Sequence, residues 1–363
     1  MSVKATVLVG LDVHARQTHA TVLDRASGQL SACKLRGTPE EAVLPYLERI
    51  GRDLLAVYEA GPTGFGLARE AVRRGLDVRV VAPGSIPRAP DDHVKTDKRD
   101  SLWLLRLLAA GELRFVLVPT VEDERFRDLL RCVDDLRGDL MRARHRLSKF
   151  ALRSGLRYEQ GKAWTLAHMR WLRALCLEDA CAQATLTDYL AAVEFDLARR
   201  RVLISELEQA IDGYSRAGVI ARLRCFRGID TLSAAGICAE LHGFEPFPRP
   251  ALVSGFVGIV PSERTSGEKR RQGNITKAGS GHARRLLVEA AHHYRHRPAV
   301  GETLARRQAG QDLRVIEIAW RAQQRLYTRW QRLRIERRKP SGVVAVAVAR
   351  ELTSFLWEAA TLD

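Results

Sequence analysis

The chain has 363 residues, a formal net charge of +16 and a pI near 10.1. That length predicts about two or three domains with ample core, and so basic a balance excludes a typical metabolic enzyme and points first to nucleic acid. We expect no secretory signal and no membrane partner, because the first residues lack a charged leader and apolar runs such as residues 343–349 are too short. A cytoplasmic, nucleoid-associated protein is therefore expected.

Cysteines and aromatic residues exclude two further kinds of site. The six cysteines are scattered, without a CxxC pair, so the sequence does not predict zinc ligation and favours reduced, buried thiols. Aromatic residues make up only 6% of the chain, so base-stacking platforms are not expected to dominate.

The first third of the chain predicts an α/β domain. Strands are expected at residues 6–13, 19–24 and 30–35, followed by a helix over Pro39–Ile50 with Thr38 as its cap. A strand at residues 54–59, a helix to about residue 74 and a strand at residues 76–82 complete the pattern. Hairpin-like strands followed by strand–helix–strand units predict a mixed sheet.

Four acids stand at informative places in this pattern. Asp12 and Glu59 each end a strand, and Asp97 and Asp100 are three residues apart at the start of a helix predicted over residues 101–110. The carboxyl ends of strands are where open α/β sheets place their sites, and oxygen-only ligand sets suit Mg²⁺ or Mn²⁺. Each acid alone has an ordinary structural explanation, such as a carboxylate favoured at a helix N-terminus.

The middle of the chain predicts two long helices. Residues 122–150 and 186–214 carry apolar side chains at heptad spacing, and Arg200 interrupts the second row. The helices could pair within one chain or with another subunit, and a further helix is expected at residues 164–177. The first apolar row is Phe126, Leu129, Val133, Leu136, Leu140, Ala143, Leu147 and Phe150.

Residues 223–242 predict a helix, a glycine turn and a second helix, similar to a helix-hairpin-helix element whose turn amides hold a phosphate. Asp230 stands where such elements have a second glycine, so a packed turn without a ligand is an equal alternative. A short apolar helix is expected over residues 252–260.

Residues 261–287 combine one serine with many cations. Glycines at 267, 273, 279 and 281 predict an irregular, flexible basic loop, and Ser280 can cap a helix that starts near His282. Ser266 is a candidate nucleophile, because guanidinium groups can neutralise the charge of a phosphodiester under attack. The alternative is a solvated loop that grips nucleic acid, with Ser266 as a turn residue. The expected buried helical face is Ala283, Leu286, Leu287, Ala290, Ala291 and Tyr294.

The last part of the chain predicts two more helices. Residues 312–334 are basic on one side, and core packing is expected to account for Trp320, Tyr327 and Trp330. An apolar helix at residues 343–359 is expected to dock onto the C-terminal domain.

Taken together, GLDVH, YEAGPTG, KTDKRD and GFVGIVPSERTSGEKRRQGNITKAGSGHARRLLVEA resemble the transposases of the insertion-sequence "one-ten" family. This family includes bridge-RNA-guided recombinases, and the Piv-type DNA invertases are its relatives. The resemblance covers nearly the whole chain. It implies a RuvC-like, ribonuclease-H-type domain over residues 1–118, a helical coiled-coil region over 119–218 and a mainly α C-terminal transposase domain over 219–363.

The resemblance also implies roles for particular residues. Asp12, Glu59, Asp97 and Asp100 correspond to the DEDD acids that bind Mg²⁺, and Ser266, just before Gly267, corresponds to the serine nucleophile. The implied partners are DNA, a structured guide RNA and further copies of the chain. The residues expected to contact nucleic acid are Lys95, Arg99, Lys269, Arg270, Arg271, Lys277, Arg284 and Arg285.

The sequence thus predicts a recombinase of a mobile element that cuts and rejoins DNA. Three alternatives stay open. A Holliday-junction-type nuclease would use the acids to activate water, with the serine segment only binding. A nucleic-acid-binding protein would carry a catalytic fold without activity. A site-specific DNA invertase would use the same residues for inversion.

Overall fold

A computed structural model describes residues 5–86, 97–266 and 269–362 of the chain. At residues 85, 97, 98, 264–266 and 269–272 the description covers the backbone. Contacts divide the chain into two units, residues 1–120 and 121–363. The helical region predicted at residues 119–218 lies almost entirely in the second unit, and the three-part division stays a prediction.

The first unit is a mixed five-stranded sheet with helices, as the sequence predicted. The strands lie in the order β3-β2-β1-β4-β5, with β1, β4 and β5 parallel and β2 antiparallel to both of its neighbours. Their bounds are β1 Val7–Val13, β2 Gln17–Asp24, β3 Leu30–Arg36, β4 Leu54–Glu59 and β5 Asp77–Val81. The helices are α1 Pro39–Ile50, α2 Gly66–Arg73 and α3 Asp97–Ala110.

Each face of the central strands buries its own apolar cluster. Val9, Leu11 and Tyr58 pack on one face with residues of α1 and α2. Leu8 and Val57 pack on the other face with leucines of α3. Successive side chains of a strand point to opposite faces, so two buried faces require the nearly continuous apolar runs seen in β1 and β4.

Side-chain caps mark the start of several helices, including α1. Thr38 caps α1: its Oγ1 accepts from the amide of Glu41 and donates to the carboxylate of Glu41, at 3.4 Å and 2.8 Å. The predicted start of α3 at residue 101 was wrong, because the helix already begins at Asp97. Acids suit the positive end of a helix, so Asp97 and Asp100 belong in its first turn.

Two long antiparallel helices open the second unit, α4 Val121–Arg153 and α6 Ala180–Asp212. Leu147 of α4 shares a cluster with Leu186 and Val193 of α6, whereas Phe126 shares another with Ile211. The two helices therefore pair within the chain, which answers the question that the heptad pattern left open. Leu130, rather than the predicted Leu129, is buried in the apolar row.

Shorter helices and one hairpin complete the unit. The helices are α5 Leu166–Ala174, α7 Ala217–Leu223, α8 Thr231–Glu240, α9 Pro250–Phe256, α10 Gly281–Ala291, α11 Glu302–Gln308, α12 Leu313–Gln331 and α13 Ser341–Ala360, and the hairpin strands are β6 Pro261–Ser266 and β7 Lys269–Ile275. The apolar α13 packs against α9, α10 and α12, as predicted. Trp330 is buried in this core, as predicted. Trp320 is 38% exposed, so core packing does not explain this residue.

The predicted helix–turn–helix at residues 223–242 was partly misplaced. The first helix, α7, ends at Leu223, and the chain turns through Gly228, whose φ of 79° lies in the left-handed region that favours glycine. Asp230 then caps α8 by accepting from the amide of Ser233 at 2.8 Å. Similarly, the helix predicted over residues 252–260 is α9, which begins at Pro250 and ends at Phe256.

The cysteines are free, but the expectation that all are buried was wrong. Cys225 and Cys238 are buried, and burial raises the pKa of these two thiols to about 11 and about 12. Cys132 on α4, Cys181 at the start of α6 and Cys176 in the connection between α5 and α6 are exposed. Among the described residues, no helix has the length and apolar character needed to span a membrane.

Candidate active site

Two of the predicted acids occupy neighbouring positions on adjacent strands. The parallel pairing of β1 and β4 runs through Leu11 opposite Tyr58, so Asp12 and Glu59 follow as the next positions in register. Leu11 and Tyr58 pack on the face covered by α1 and α2. Because side chains alternate along a strand, Asp12 and Glu59 belong to the opposite face, which α3 covers.

The first turn of α3 lies near the same edge of this face. A Cβ at Gly10 would collide with the carbonyl oxygen of Ser101 and lie 2.8 Å from the amide of Leu105. The Ser101 hydroxyl is also 2.8 Å from that of Thr21, which pairs with Gly10. Since α3 then continues towards Leu8, the turn before Ser101, which includes Asp97 and Asp100, extends towards Asp12.

A histidine that the sequence argument had not singled out contacts the first acid. His14 Nε2 lies 3.0 Å from Asp12 Oδ2, with the histidine side chain 50% exposed and the aspartate side chain 21% exposed. The signal was present in GLDVH, because residues 12 and 14 are two apart and strand alternation places them on one side. His14 can therefore orient Asp12 or join it as a ligand.

The described acids lie on the sheet face that α3 covers, near the carboxyl ends of β1 and β4, but their side chains do not form a complete set of metal ligands. Among the residues that the structure describes, no group of three or more His, Cys, Asp or Glu side chains is close enough to hold a metal ion. Asp100 is partly buried, Glu59 is partly buried, and the Asp97 side chain lies outside the described part. The fold thus brings Asp12 and Glu59 into register, with the other two acids on a helix at the same face.

The serine segment is a β-hairpin, so the prediction of an irregular loop was wrong. β6 and β7 pair antiparallel, with Ser266 opposite Lys269 as the last described pair before the connection. Residues 267 and 268, glycine and glutamate, lie outside the described part.

This register fixes where the predicted cations stand along the hairpin backbone. Lys269 is opposite Ser266, Arg270 is opposite Thr265 and Arg271 is opposite Arg264. Three cationic positions therefore occupy the rungs nearest to the end of β6 where Ser266 lies.

The base of the hairpin is fastened to the helical core. The amides of Thr276 and Lys277 donate to the carbonyls of Val260 and Gly258 at 2.9 Å and 3.0 Å. Arg284 Nη1 donates to the carbonyls of Val257 and Ala278 at 2.8 Å and 3.0 Å. These bonds join both ends of the hairpin to the start of α10, so this part of the basic segment is held in place.

A buried acid holds the N-terminus of α10, and the sequence argument missed it. Glu240 accepts from Arg131 at 3.1 Å and 3.3 Å and from the Ser280 hydroxyl at 2.8 Å, and His282 Nδ1 is 3.6 Å away. Burial alone would raise the pKa of Glu240, but contacts with His282, Arg131 and Ser280 hold that pKa at about 2. Its signal was a lone acid near the end of the apolar run TLSAAGICAEL.

The cations expected to contact nucleic acid lie in different surroundings. Arg99 and Lys277 are exposed, whereas Lys95 lies outside the described residues. Arg285 donates to Glu289 and, at 2.7 Å, to Asp134, so it shares the internal bonding seen for Arg284. Nucleic-acid contact by these residues stays a prediction.

Comparisons with known proteins identify similar sequences over most of the chain. Residues 220–305 match a family model described as "Transposase IS116/IS110/IS902 family", and residues 9–154 match a "Transposase" model named for the DEDD transposases of IS110. A putative transposase, y4qE, of Sinorhizobium fredii is 38% identical over 300 residues, which cover 83% of this chain and 73% of the relative. The transposase for insertion sequence element IS1533 of Leptospira borgpetersenii is 30% identical over 342 residues, covering 93% and 99%.

All of these matches are of one class, the transposases. The chain belongs to the IS116/IS110/IS902 family of transposases and is of its DEDD type. Membership implies a DNA-binding, DNA-processing protein, and divalent metal use is typical of DEDD transposases.

Proposed function

We propose that this transposase cuts and rejoins DNA with two sets of groups, the four acids of the first unit and Ser266 of the hairpin. The observation that carries the proposal is the register of β1 and β4, which places Asp12 and Glu59 side by side at the ends of parallel strands. The first turn of α3, with Asp97 and Asp100, lies at the same face. The match to a DEDD transposase model over residues 9–154, which contain all four acids, supports their assignment as the catalytic acids.

A RuvC-like, ribonuclease-H-type fold is part of this proposal. Its support is the sheet order β3-β2-β1-β4-β5, with β2 antiparallel and the acids at strand ends. The antiparallel pair α4 and α6 supports a coiled-coil region between the RuvC-like domain and a C-terminal transposase domain.

The four acids fit a divalent cation by the chemistry of their donors. Carboxylate oxygens are the ligands that Mg²⁺ and Mn²⁺ prefer, and partly buried acids on one face repel each other unless a cation joins them. Asp12, Glu59, Asp97 and Asp100 would hold the ion, with His14 orienting Asp12. A bound ion would neutralise phosphate charge and polarise the phosphodiester.

Ser266 would act as the nucleophile in a transesterification. Its hydroxyl oxygen forms a bond to phosphorus, the bond from phosphorus to the 3′ oxygen breaks, and the hydroxyl proton passes to that released oxygen. The products are a free 3′ hydroxyl and a serine joined to the 5′ phosphate. Lys269, Arg270 and Arg271, at neighbouring hairpin positions, would neutralise the charge that builds up on the phosphate oxygens.

The proposed partners are the element ends and target DNA, a structured guide RNA and further copies of the chain. The net charge of +16 supports a polyanionic partner. If a guide RNA is used, protein purified from cells that carry the whole element retains one RNA of defined length from the element's own end. A random mixture of cellular RNA would contradict guidance.

Trapping of a covalent adduct tests the serine. Wild-type protein with labelled element-end DNA and Mg²⁺ is expected to give a protein–DNA adduct on a denaturing gel, and Ser266→Ala is expected to give none while still binding DNA. Thr265→Ala is the matched control, because it removes the neighbouring hydroxyl. Equal adduct formation by Ser266→Ala would remove this serine from the mechanism. Cleavage without any adduct would favour the junction-type nuclease.

Charge-neutral substitution tests the acids. Asp12→Asn is expected to lower adduct formation by about 10³-fold or more, because a carboxylate ligand is lost. Asp77→Asn is the control, since Asp77 begins β5 and is an exposed partner of Arg79. Removal of divalent ions by a chelator should abolish activity, and their return should restore it. Full activity of Asp12→Asn would exclude Asp12 from the catalytic set.

A further inference from the structure

The paired helices α4 and α6 contain a polar gap between two apolar clusters. Leu186 and Val193 pack against α4 on one side of the gap, and Leu207 and Ile211 pack against it on the other. Arg200 stands between them and interrupts the apolar row of α6. A charged residue within such a row lowers stability unless it has a partner, so its presence requires an explanation.

The gap is a cavity of about 460 Å³ lined by three arginines, His145 and four apolar residues. Arg144 and Arg200 line it together with Arg137, which pairs with Asp134, and no acid is found among its described lining residues. The Nε atoms of Arg144 and Arg200 are buried and have no hydrogen-bond partner in the part of the chain that the structure describes. Burial, followed by repulsion from Arg200, lowers the pKa of Arg144. Buried donors without acceptors are costly, and an anion held in the cavity by the outer nitrogens of these two guanidinium groups would offset part of that cost by neutralising their charge.

Trp164 separates this cavity from a second one. The second cavity, about 470 Å³, is lined by the rings of Tyr158, Trp164, His168 and Trp171 and by aliphatic residues of α4, α5 and the segment between them. Lys149, Arg157 and Glu159 also line it, so its charged lining has a net positive charge. The Tyr158 and Trp171 ring centroids are 5.4 Å apart, and both rings are partly exposed. The guanidinium of Arg144 lies over the Trp164 ring, 5.0 Å from its centroid. Trp164 is therefore the wall shared by a cationic and an aromatic cavity.

The backbone of Trp164 adopts a conformation that costs free energy. Its φ is 65°, in the left-handed region that a bulky residue rarely occupies. The amide of Trp164 donates to His168 Nδ1 at 3.1 Å, which requires that nitrogen to be unprotonated. Burial lowers the pKa of His168, which favours the neutral ring. The contacts with His168 and Arg144 thus hold the tryptophan ring between the cavities.

The surroundings of both cavities carry a strong positive charge. Residues 142–173 contain nine Lys or Arg and one acid, Glu159, a net charge of +8 and half of the +16 of the whole chain. Arg142 and Arg173 pair with Asp139 and Glu194. The other seven cations of this segment make no ion pair with another described residue. This charge complements a polyanion rather than an apolar or basic partner.

We propose that one unpaired nucleotide of a single-stranded nucleic acid binds across Trp164. Its phosphate would enter the arginine cavity and accept from Arg144 and Arg200, since guanidinium groups recognise phosphate oxygens. Its base would lie against the aromatic rings of the second cavity, because an unstacked base exposes a face that aromatic side chains can cover. Both cavity volumes fall within the range of about 300–1,000 Å³ typical of ligand sites. The proposal is independent of Ser266 and of the four acids.

Arg200→Leu tests the phosphate half of the site. Leucine continues the apolar row, so the variant should be at least as stable as the wild type. Its affinity for a fluorescent single-stranded RNA or DNA should nevertheless fall on the order of tenfold, as expected for lost charged hydrogen bonds. Arg201→Leu is the matched control, because it removes the same charge from an exposed neighbouring position. Anisotropy is measured in chelator, which separates binding from cleavage, and thermal unfolding measures stability.

Equal losses for Arg200→Leu and Arg201→Leu would overturn the phosphate half, because they would indicate only general electrostatics. If Arg200→Leu is unstable, Arg144→Gln carries the same expectation. A change in the molar mass of the protein on substitution would also overturn the proposal, since it would assign the cavity to a second copy of the chain. Whichever of RNA and DNA loses more affinity identifies the natural strand.

An abasic strand tests the base half of the site. The wild type should bind a strand with bases on the order of tenfold more tightly than an abasic strand of equal length. Trp171→Ala should remove most of this difference, and Trp320→Ala, at an exposed tryptophan of α12, should preserve it. Equal binding of the two strands by the wild type would overturn stacking in the aromatic cavity.

Discussion

Glu240 illustrates how one buried side chain can position a functional segment. It is 5% exposed and joins α4, α8 and the start of α10 through Arg131, Ser280 and His282. The Ser280 hydroxyl donates to Glu240 while it accepts from the amide of Ala283, so the helix cap and the buried acid form one network. The hairpin that carries Ser266 ends directly before this network, which gives Glu240 a positioning role.

Glu240→Gln should lower the free energy of unfolding at pH 7 by about 2 kcal/mol, because it removes a buried charge from its cationic partners. The folded pKa of about 2 lies below the ordinary value of 4.5. Between these values the unfolded state binds more protons, so the contribution of Glu240 is present above pH 4.5 and lost as pH falls towards 2. Urea unfolding at several pH values measures it.

Glu302→Gln is the control for this substitution, because Glu302 is 86% exposed. It should change stability little at any pH. Wild-type protein and Glu240→Gln should converge in stability as the pH approaches 2. A constant difference between them from pH 7 down to pH 2 would contradict the ionised Glu240.

His14 is the residue-scale test of the first unit. If its contact with Asp12 orients that carboxylate, His14→Ala should lower adduct formation on the order of tenfold, as loss of an outer partner of a metal ligand does. Because the His14 side chain is 50% exposed, the thermal unfolding temperature should change little. His14→Gln, which can still donate to Asp12, should recover part of the activity. Adduct formation by His14→Ala at the wild-type rate would show that His14 does not orient Asp12.

At the scale of elements, the contact of α3 with β1 decides where two acids lie. The absence of a side chain at Gly10 lets the backbone of α3 approach at Ser101, and the hydroxyls of Thr21 and Ser101 bond across the interface. Leu105 and Leu108 then bury the rest of the helix against the sheet. The position of the first turn of α3, which contains Asp97 and Asp100, is thus set by the close packing of the next turn against β1 and β2.

Gly10→Ala should therefore lower the free energy of unfolding by about 2 kcal/mol, because an added methyl group collides with backbone atoms of α3. Displacement of the first turn should also reduce adduct formation. Gly84→Ala is the control, since its added Cβ meets nothing within 4 Å. Denaturant unfolding and the adduct assay measure the two effects. An unchanged stability of Gly10→Ala would show that α3 can shift without cost.

The hairpin of β6 and β7 is an element whose secondary structure differs from the one that the sequence predicted. Glycines and charges predicted a loop, because those residues are depleted from strand interiors. The strands nevertheless pair from Pro261 opposite Ile275 to Ser266 opposite Lys269. The register shifts once, between Pro261 and Glu263. Two strands of mostly polar residues pair the backbone groups on their facing edges with each other, and composition alone does not reveal this pairing.

At the scale of the whole molecule, charge dominates the expected behaviour. With a net charge of +16, the association constant for nucleic acid should fall by about 10³-fold or more between 50 and 200 mM salt, if about six phosphates are neutralised. Fluorescence anisotropy over a salt series measures the slope. A salt-independent constant would contradict binding through phosphate contacts.

The sequence by itself determined the strands of the first unit, the existence of its helices, the caps Thr38 and Ser280, and the family, because these depend on local periodicity and short motifs. Tertiary structure decided the register that sets Asp12 beside Glu59, the burial of Glu240 and the cavity at Arg200. These features join residues about 45 to 110 positions apart, or depend on which face of a helix meets its neighbour. Local propensity carries no information about such pairings, since they arise only when packing brings distant elements together.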